Sequence, residues 1–190
     1  MPRGRPRDEE ARQRILDAAF VLVGSRPPGD VSINDIAAAA NVAKQTIYRW
    51  WPSRTAVILD ALVQGTMQAT PFAETDDVRA DFEAHLRTVI RMFNSPSGRI
   101  IREMLAGAQT DPALAEEFRE RFWQPRRDLS LARLERGIEL GQIRADLDAE
   151  TVLDVIYGAL WTRLMIGHQP LSSVHATRIA DAIWPGLSDD

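Results

Sequence analysis

The sequence predicts an all-α fold. Apolar residues recur at intervals of three and four along most of the chain, which is the period of an amphipathic helix. No stretch alternates β-branched or aromatic residues with polar ones between turn signals, as a half-buried strand would. Prolines, glycines and short polar residues divide the helical pattern into segments of ordinary length. We expect three N-terminal helices joined to a larger helical bundle.

Four helices are predicted in the first seventy residues, over about 8–25, 33–40, 43–51 and 54–69. Ser32 is a candidate N-cap, and Asp35 three residues later could complete a capping box. Asn41 tolerates left-handed backbone angles, so it can form the tight turn between the two short helices. Pro52 closes the second of them.

The rest of the chain predicts five longer helices, over about 75–94, 97–109, 111–140, 148–168 and 172–184. Pro125 should interrupt the third of these, and Pro185 should stop the last. We expect residues 1–54 to form one domain and residues 55–190 to form a second.

The composition excludes several classes of protein. The chain has 190 residues, of which 45% are hydrophobic and 26% charged, as in an ordinary folded protein. It has no cysteine and only three scattered histidines, so we expect no disulfide, no metal site and no cofactor. His85, His168 and His175 form no recognisable nucleophile–base pattern, so an enzyme is not expected.

The location expected from the sequence is the cytoplasm. No run approaches the roughly 18 uninterrupted apolar residues that a membrane-spanning helix needs. The first residues are charged and do not resemble a signal peptide. We therefore expect no membrane association.

Charge is distributed unevenly along the chain. The net charge is −4, yet the first 60 residues hold nine Lys or Arg against seven Asp or Glu, whereas the rest hold 14 against 20. A basic end on an acidic body fits a protein that contacts nucleic acid through its N-terminus, although the basic excess is modest.

Residues 32–54 have the spacing of a helix-turn-helix, in which two short helices follow a supporting helix and the second enters the DNA major groove. Ile47 and Trp51 are four apart and apolar, so they should face the supporting helices. The opposite arc carries side chains that bind phosphates or base edges. The predicted DNA contacts of this region are Ser32, Lys44, Gln45, Thr46, Tyr48, Arg49 and Arg54.

The stretch from Ile15 to Leu59, which contains SINDIAAAANVAKQTIYRWWPSRTAVI, resembles the DNA-binding domain of the tetracycline-repressor (TetR) family. The matching positions are Ser32, Ile36-Ala37, Asn41, Val42, Lys44, Ile47-Tyr48, Trp51, Ser53 and Arg54. Asn41 replaces the usual turn glycine, and Ala43 replaces the usual Ser or Thr, so Ala43 is not taken as a DNA contact. The resemblance implies a dimeric repressor with a conserved DNA-binding head, a variable ligand-binding body and induction by a small molecule.

Three arginines precede the first predicted helix, at Arg3, Arg5 and Arg7. A flexible basic arm can lie in the minor groove, where the negative potential attracts arginine. A disordered, solvated tail is an equally good interpretation, and the sequence leaves both open.

The body carries many large apolar side chains, most of which should form the core. Methionine and aromatic residues concentrate in the middle helices, as in pockets between helices of a bundle. We predict an apolar or aromatic effector in a cavity lined by Phe93, Met104, Phe122, Trp123, Trp161 and Met165.

The last two helices, at about 152–166 and 174–184, resemble the pair that forms the dimer contact in the family, and Gly158 and Ala159 would allow close approach. A dimer places two recognition helices about one DNA turn, roughly 34 Å, apart, as a palindrome requires. We therefore predict a homodimeric repressor that a small apolar effector releases from a palindromic operator in double-stranded DNA. The alternative is a DNA-binding regulator whose body binds a protein partner or only dimerises.

Overall fold

The computed structural model describes residues 5–67 and 70–188, with side chains from residue 9 onward. Every regular element in these ranges is a helix, which confirms the all-α prediction. Within the same ranges, no helix has the length and apolar character needed to cross a bilayer.

The N-terminal part contains three helices and a short turn of 3₁₀-helix. These are α1 (Arg5–Ser25), the 3₁₀ turn (Pro28–Asp30), α2 (Ile33–Ala40) and α3 (Lys44–Trp50). The predicted capping box is present, since Ser32 Oγ accepts from the Asp35 N–H at 3.2 Å while Asp35 Oδ2 accepts from the Ser32 N–H at 2.8 Å. Asn41 ends α2 in the left-handed conformation, with φ 52° and ψ 53°, and thereby turns the chain into α3.

Seven further helices and one π-helical segment follow within the part of the chain that the structure describes. They are α4 (Arg54–Met67), α5 (Val78–Asn94), α6 (Pro96–Ala108), α7 (Pro112–Phe118), the π segment (Arg119–Trp123), α8 (Gln124–Glu139), α9 (Ala149–Ile166) and α10 (Val174–Leu187). The observed bounds lie within a few residues of the predicted ones.

The break predicted at Pro125 takes the form of the π segment directly before it. Pro125 has no N–H to donate to a carbonyl one turn earlier, and its ring would clash with that carbonyl. The backbone widens instead, and the Gln124 N–H donates to the Arg119 carbonyl five residues back. As a result α7, the π segment and α8 form one continuous helical run.

The stop predicted at Pro185 is wrong, because α10 continues through Pro185 to Leu187. Burial of the Leu187 side chain favours the extra residues. The Leu187 carbonyl also accepts from the Arg144 N–H at 2.8 Å, which ties the end of α10 to the segment after α8.

Helix α4 joins the N-terminal helices to the body. Its residues 56–62 are all buried, and it packs against α1 on one side and α6 on another. The packing on α1 is tight, since a Cβ atom added at Gly65 would lie 2.6 Å from the Phe20 ring. Helix α4 therefore joins α1 and the body through direct side-chain packing.

Candidate nucleic-acid interface and internal cavity

Helix α3 is anchored on one side and exposed on the other. Ile47 is fully buried, and Trp51, the residue after α3, is only 3% exposed. Lys44, Gln45, Tyr48 and Arg49 are exposed, and Thr46 is half-buried. The predicted division of α3 into a core side and an outer side is confirmed as geometry, while the DNA contacts themselves stay a prediction.

The exposed side of α3 combines cations with aromatic rings. Lys44 Nζ lies 5.9 Å from the Tyr48 ring centroid, and the Arg49 guanidinium lies 5.9 Å from that of Trp50. Trp50 is 38% exposed and was not among the predicted DNA contacts. The sequence could have indicated that one tryptophan is exposed, since the adjacent Trp50 and Trp51 cannot both enter the same core.

Ser32 and Arg54 have structural partners in addition to their predicted role at DNA. The Ser32 hydroxyl donates to Asp35 at 2.7 Å. Hydrogen bonds from the Ser32 side chain and backbone, followed by the Arg26 guanidinium, lower the pKa of Asp35 to about 2. Arg54 donates to the Pro28 carbonyl and, at 3.1 Å, to the Val31 carbonyl, so it fastens the turn that precedes α2.

The predicted basic arm is shorter than expected, because α1 begins at Arg5. Arg5 and Arg7 therefore lie in the first turns of a helix, where Pro6 is tolerated because early N–H groups have no helical partner. Arg3 lies outside the described residues.

A cavity lies between α5, the π segment, α8 and α9. It has a volume of about 60 Å³, and its lining includes Phe93, Phe122, Trp123 and Trp161, four of the six predicted effector contacts. The rings lie close together, with centroids 4.9 Å apart for Phe93 and Trp161 and 5.2 Å apart for Trp123 and Trp161.

The other two predicted effector contacts, Met104 and Met165, do not line this cavity. Met104 is buried in the core on the side of α6 that also carries Ile100 and Ile101. Met165 is 44% exposed near the end of α9. Helical spacing alone could not separate these methionines from residues that line the cavity.

The cavity also has a polar lining that the sequence analysis did not identify. Its members are Thr70, His85, Arg126, Arg127, Ser130 and Tyr157. Arg126, Arg127 and Ser130 lie together on α8, but the other three come from distant segments, so no local motif joins all six. No shared sequence signal points to all six.

His85 is held neutral. Burial lowers its pKa to about 4, which outweighs the hydrogen bond to Pro71. Its Nδ1 lies 3.2 Å from the Pro71 carbonyl, which can only accept, so Nδ1 carries the proton and Nε2 is left as an acceptor. The ring stacks on Phe72 with centroids 3.8 Å apart.

Tyr157 and Ser130 form a second neutral pair in the lining. Ser130 Oγ donates to the Arg126 carbonyl at 3.0 Å, so the Tyr157 hydroxyl, 2.9 Å away, donates to Ser130. Burial raises the pKa of Tyr157, so its hydroxyl keeps its proton.

Arg126 brings a positive charge to the cavity. Its guanidinium lies 3.9 Å from the Phe122 ring centroid and donates to the Phe122 carbonyl at 2.8 Å and to Thr66 Oγ1 at 2.5 Å. Burial lowers the pKa of Arg126 to about 10, so the side chain stays cationic near neutral pH.

A chain of polar contacts connects the wall of the cavity to α3. The π segment carries Phe122 and Trp123 in the lining, and Arg121 of the same segment forms an ion pair with Asp60 on α4. The buried Asp60 also accepts a hydrogen bond from Trp51 Nε1 at 2.6 Å and lies 3.6 Å from the Arg12 guanidinium. One carboxylate thus touches the body, α1 and the end of α3.

Comparison with known proteins identifies the family. A family model described as "Tetracyclin repressor-like, C-terminal domain" matches residues 72–183. A second, described as "Bacterial regulatory proteins, tetR family", matches residues 15–61. The chain belongs to the TetR family. It is a DNA-binding transcriptional regulator, as the helix-turn-helix predicted.

Individual relatives agree with this assignment. The chain is 40% identical over 164 residues to an uncharacterized HTH-type transcriptional regulator, YdeS of Bacillus subtilis, covering 86% of this chain and 83% of YdeS. It is 26% identical over 176 residues to the DNA-binding transcriptional repressor TetR of Mycobacteroides abscessus, covering 92% of each chain. A crystal structure of the TetR family transcription regulator SCO0332 superposes with a TM-score of 0.84 at 34% identity, covering 95% of this chain and all of the other.

Proposed function

We propose that this protein is a homodimeric repressor that binds a palindromic operator and leaves it when a small effector enters the cavity. The observation that carries the proposal is the exposed polar side of α3, fixed by the buried Ile47 and Trp51 and connected through Asp60 to the cavity wall. Residues 1–54 would then form the DNA-binding domain, and residues 55–190 the effector-binding and dimerisation domain.

The proposed DNA contacts divide into two kinds. Lys44, Tyr48 and Arg49 carry donors that suit phosphate oxygens, and Gln45 can form the bidentate pair with adenine that specifies sequence. Ser32, Thr46 and Arg54 would add contacts to the DNA backbone, and the N-terminal arginines would lie in the minor groove. The phosphate contacts set affinity and salt dependence, whereas Gln45 sets the preferred bases.

The proposed dimer contact is the outer side of α9 and α10. Val155, Ile166 and Val174 are more than half exposed, and the neighbouring Ala159 is exposed as well. A Cβ atom added at Gly158 would meet nothing within 4 Å, so this small residue leaves room for a second helix. Apolar side chains grouped on the outside of a protein mark interaction surfaces.

The contacts of the π segment with both the cavity and Asp60 explain how an effector would release the protein from DNA. An effector that fills the cavity displaces Phe122 or Trp123. Arg121, on the same turn, moves with them and shifts the Asp60 side chain with which it is paired. Because Asp60 binds Trp51 and Arg12, the orientation of α3 changes with it. The response depends only on how much more tightly the effector binds the released state than the DNA-bound state.

The proposal is tested by selection of random double-stranded DNA with the purified protein, followed by a salt titration on the selected site. We expect a palindrome, and we expect the double variant Lys44→Ala, Tyr48→Phe to lower the affinity. Loss of the Lys44 charge should also reduce the slope of log K against log salt concentration by about one unit, whereas loss of the neutral Tyr48 hydroxyl should not change it. A selected site without two-fold symmetry would contradict the dimeric arrangement.

The alternative is that the body binds a protein partner or only dimerises. Titration of the protein–operator complex with a library of small compounds separates the two functions. Operator binding that responds to none of these compounds would favour the alternative.

A further inference from the structure

We propose that the effector is a small aromatic carboxylate whose anionic group pairs with Arg126. The inference rests on the proposed effector function and adds to it the charge and the size of the ligand. The sequence predicted an apolar or aromatic effector, and the cavity adds a cation that a ligand without a negative charge would not neutralise.

Arg126 is half-buried, and it differs in its partners from the other arginines of α8 that lie near the core. Arg127 pairs with Glu150 and Asp154, and Arg133 pairs with Asp81. Among the residues that the structure describes, the partners of Arg126 are a carbonyl, a hydroxyl and an aromatic ring, all of them neutral. The cavity therefore contains a positive charge without a counterion.

Arg99 also has no carboxylate partner, but its surroundings supply negative charge. Its guanidinium donates to the carbonyls of Val23, Gly24 and Arg26, at and just beyond the C-terminal end of α1. That end of a helix carries a partial negative charge, which stabilises a cation. Arg126 gains no such compensation from the Phe122 carbonyl, which lies inside the continuous helical run.

A half-buried cation without a counterion is partly desolvated, and an anion in the cavity would offset that cost. Carboxylate suits guanidinium because both are planar and can form two parallel hydrogen bonds. The Arg126 Nε atom is buried without a hydrogen-bond partner in the described structure, so the side chain retains donor capacity. After a small rotation of the guanidinium, an anion could accept a hydrogen bond from this Nε–H group.

The aromatic residues of the lining indicate the chemistry of the part of the ligand that does not contact Arg126. Phe93, Trp123, Trp161 and Tyr157 surround the cavity with rings, which suits a flat aromatic group. The cavity volume of about 60 Å³ is smaller than the roughly 150 Å³ of an apolar cavity that binds benzene, so even a one-ring ligand requires the walls to move, and a long acyl chain would require far more movement. Burial keeps His85 and Tyr157 neutral, so neither adds a charge that would compete with Arg126 for the anion.

The test compares acids with amides of the same shape. Benzoate, phenylacetate and salicylate are each titrated beside benzamide, 2-phenylacetamide and salicylamide, at constant ionic strength. Binding is followed by the thermal unfolding temperature and by tryptophan fluorescence, because Trp123 and Trp161 line the cavity. We expect at least one acid to bind about tenfold or more tightly than its amide, as a charge-assisted hydrogen bond would give.

Three variants localise the effect. Arg126→Gln should abolish the preference for the acid, while Arg126→Lys should retain part of it and controls for folding. Arg119→Gln removes a positive charge from the adjoining exposed turn, where Arg119 pairs with Glu116, and should leave the preference unchanged. Thermal unfolding without ligand shows that each variant is folded.

The outcomes separate this inference from the proposed function. Equal binding of acids and amides, or a preference that persists in Arg126→Gln, overturns the anionic effector but leaves an effector-responsive repressor intact. Binding of acids through Arg126 without any change in operator affinity supports the site and overturns effector-driven release. If no acid and no amide binds, the anionic effector is overturned, and release by any other compound still upholds the proposed function.

Discussion

At the scale of single residues, the neutral His85 makes the folded protein sensitive to acid. Its pKa of about 4 in the folded state lies below the unfolded value of 6.5, so the unfolded chain binds the extra proton first as the pH falls. Stability is therefore complete above pH 6.5 and decreases between pH 6.5 and 4. At pH 5 the loss from this one group should be about 2 kcal/mol.

Urea unfolding of the wild type and of His85→Gln at pH 7.5 and pH 5.0 measures this effect. The charged and titratable groups nearest the ring, Arg126 and Tyr157, do not change charge in this interval. We expect the wild type to lose about 2 kcal/mol more than the variant between the two pH values. The same loss in both proteins would place the acid sensitivity elsewhere.

The sequence predicts the placement of side chains on α3 better than the placement of side chains around the cavity. Lys44 and Tyr48 could be placed on one arc because a single helical period fixes their positions relative to Ile47. His85 and Arg126 meet only because α5 and α8 pack together, and no local period encodes that packing. Met165 lies outside this cavity for the same reason, since the rotation of α9 about its axis depends on its neighbours.

At the scale of elements, the turn between α2 and α3 depends on the left-handed Asn41. Asn accepts φ 52° at lower cost than most residues, and Gly accepts it freely. We expect Asn41→Ala to lower the free energy of unfolding by about 1 kcal/mol and Asn41→Gly to change it by less than about 0.5 kcal/mol. Urea unfolding at pH 7.5 measures both.

The matched control for this turn is Ala38→Gly, at an exposed position inside α2. Glycine in the interior of a helix costs about 0.5–1 kcal/mol relative to alanine. Ala38→Gly should therefore lower the free energy of unfolding more than Asn41→Gly does, although the two positions are only three residues apart. Equal losses would mean that the left-handed conformation of Asn41 does not matter for stability.

The two prolines in the body show what a sequence does and does not determine about an element. Pro125 and Pro185 have the same missing N–H, yet the first produces a π segment and the second lies within α10. The difference arises from tertiary burial, since Leu187 is held in the core beyond Pro185. A proline therefore predicts a local disturbance of a helix, while the packing around it decides its form.

At the scale of the whole molecule, the proposed dimer depends on the outer side of α9. Ala159→Glu places a charge among Val155, Thr162 and Gly158 and can pair with Arg163 one turn later, so the monomer should remain folded. We expect the variant to sediment as a monomer at micromolar concentration and to lose operator binding.

Ala106→Glu, at an exposed alanine of α6, is the matched control and should leave the dimer unchanged. Sedimentation velocity and operator binding are measured on the same preparations. A dimer that persists in Ala159→Glu would show that α9 does not form the subunit contact.

The coupling between the cavity and the DNA is a property of the whole molecule, and Asp60 is the residue that tests it. Asp60→Asn keeps an acceptor for Trp51 Nε1 but removes the charge that holds Arg121 and Arg12. Both arginines are more than a quarter exposed, so water can solvate them after the change. We therefore expect a folded protein that still binds operator and effector.

The expected defect in Asp60→Asn is in communication between the two sites. The ratio of operator affinities without and with a saturating effector measures the coupling, which amounts to about 5–150-fold in typical allosteric proteins. We expect Asp60→Asn and Arg121→Gln each to bring this ratio close to one, and the double variant to add nothing further, because both remove the same contact. A ratio unchanged in either single variant would mean that the effector acts through the α1–α4 packing around Phe20 and Gly65 instead.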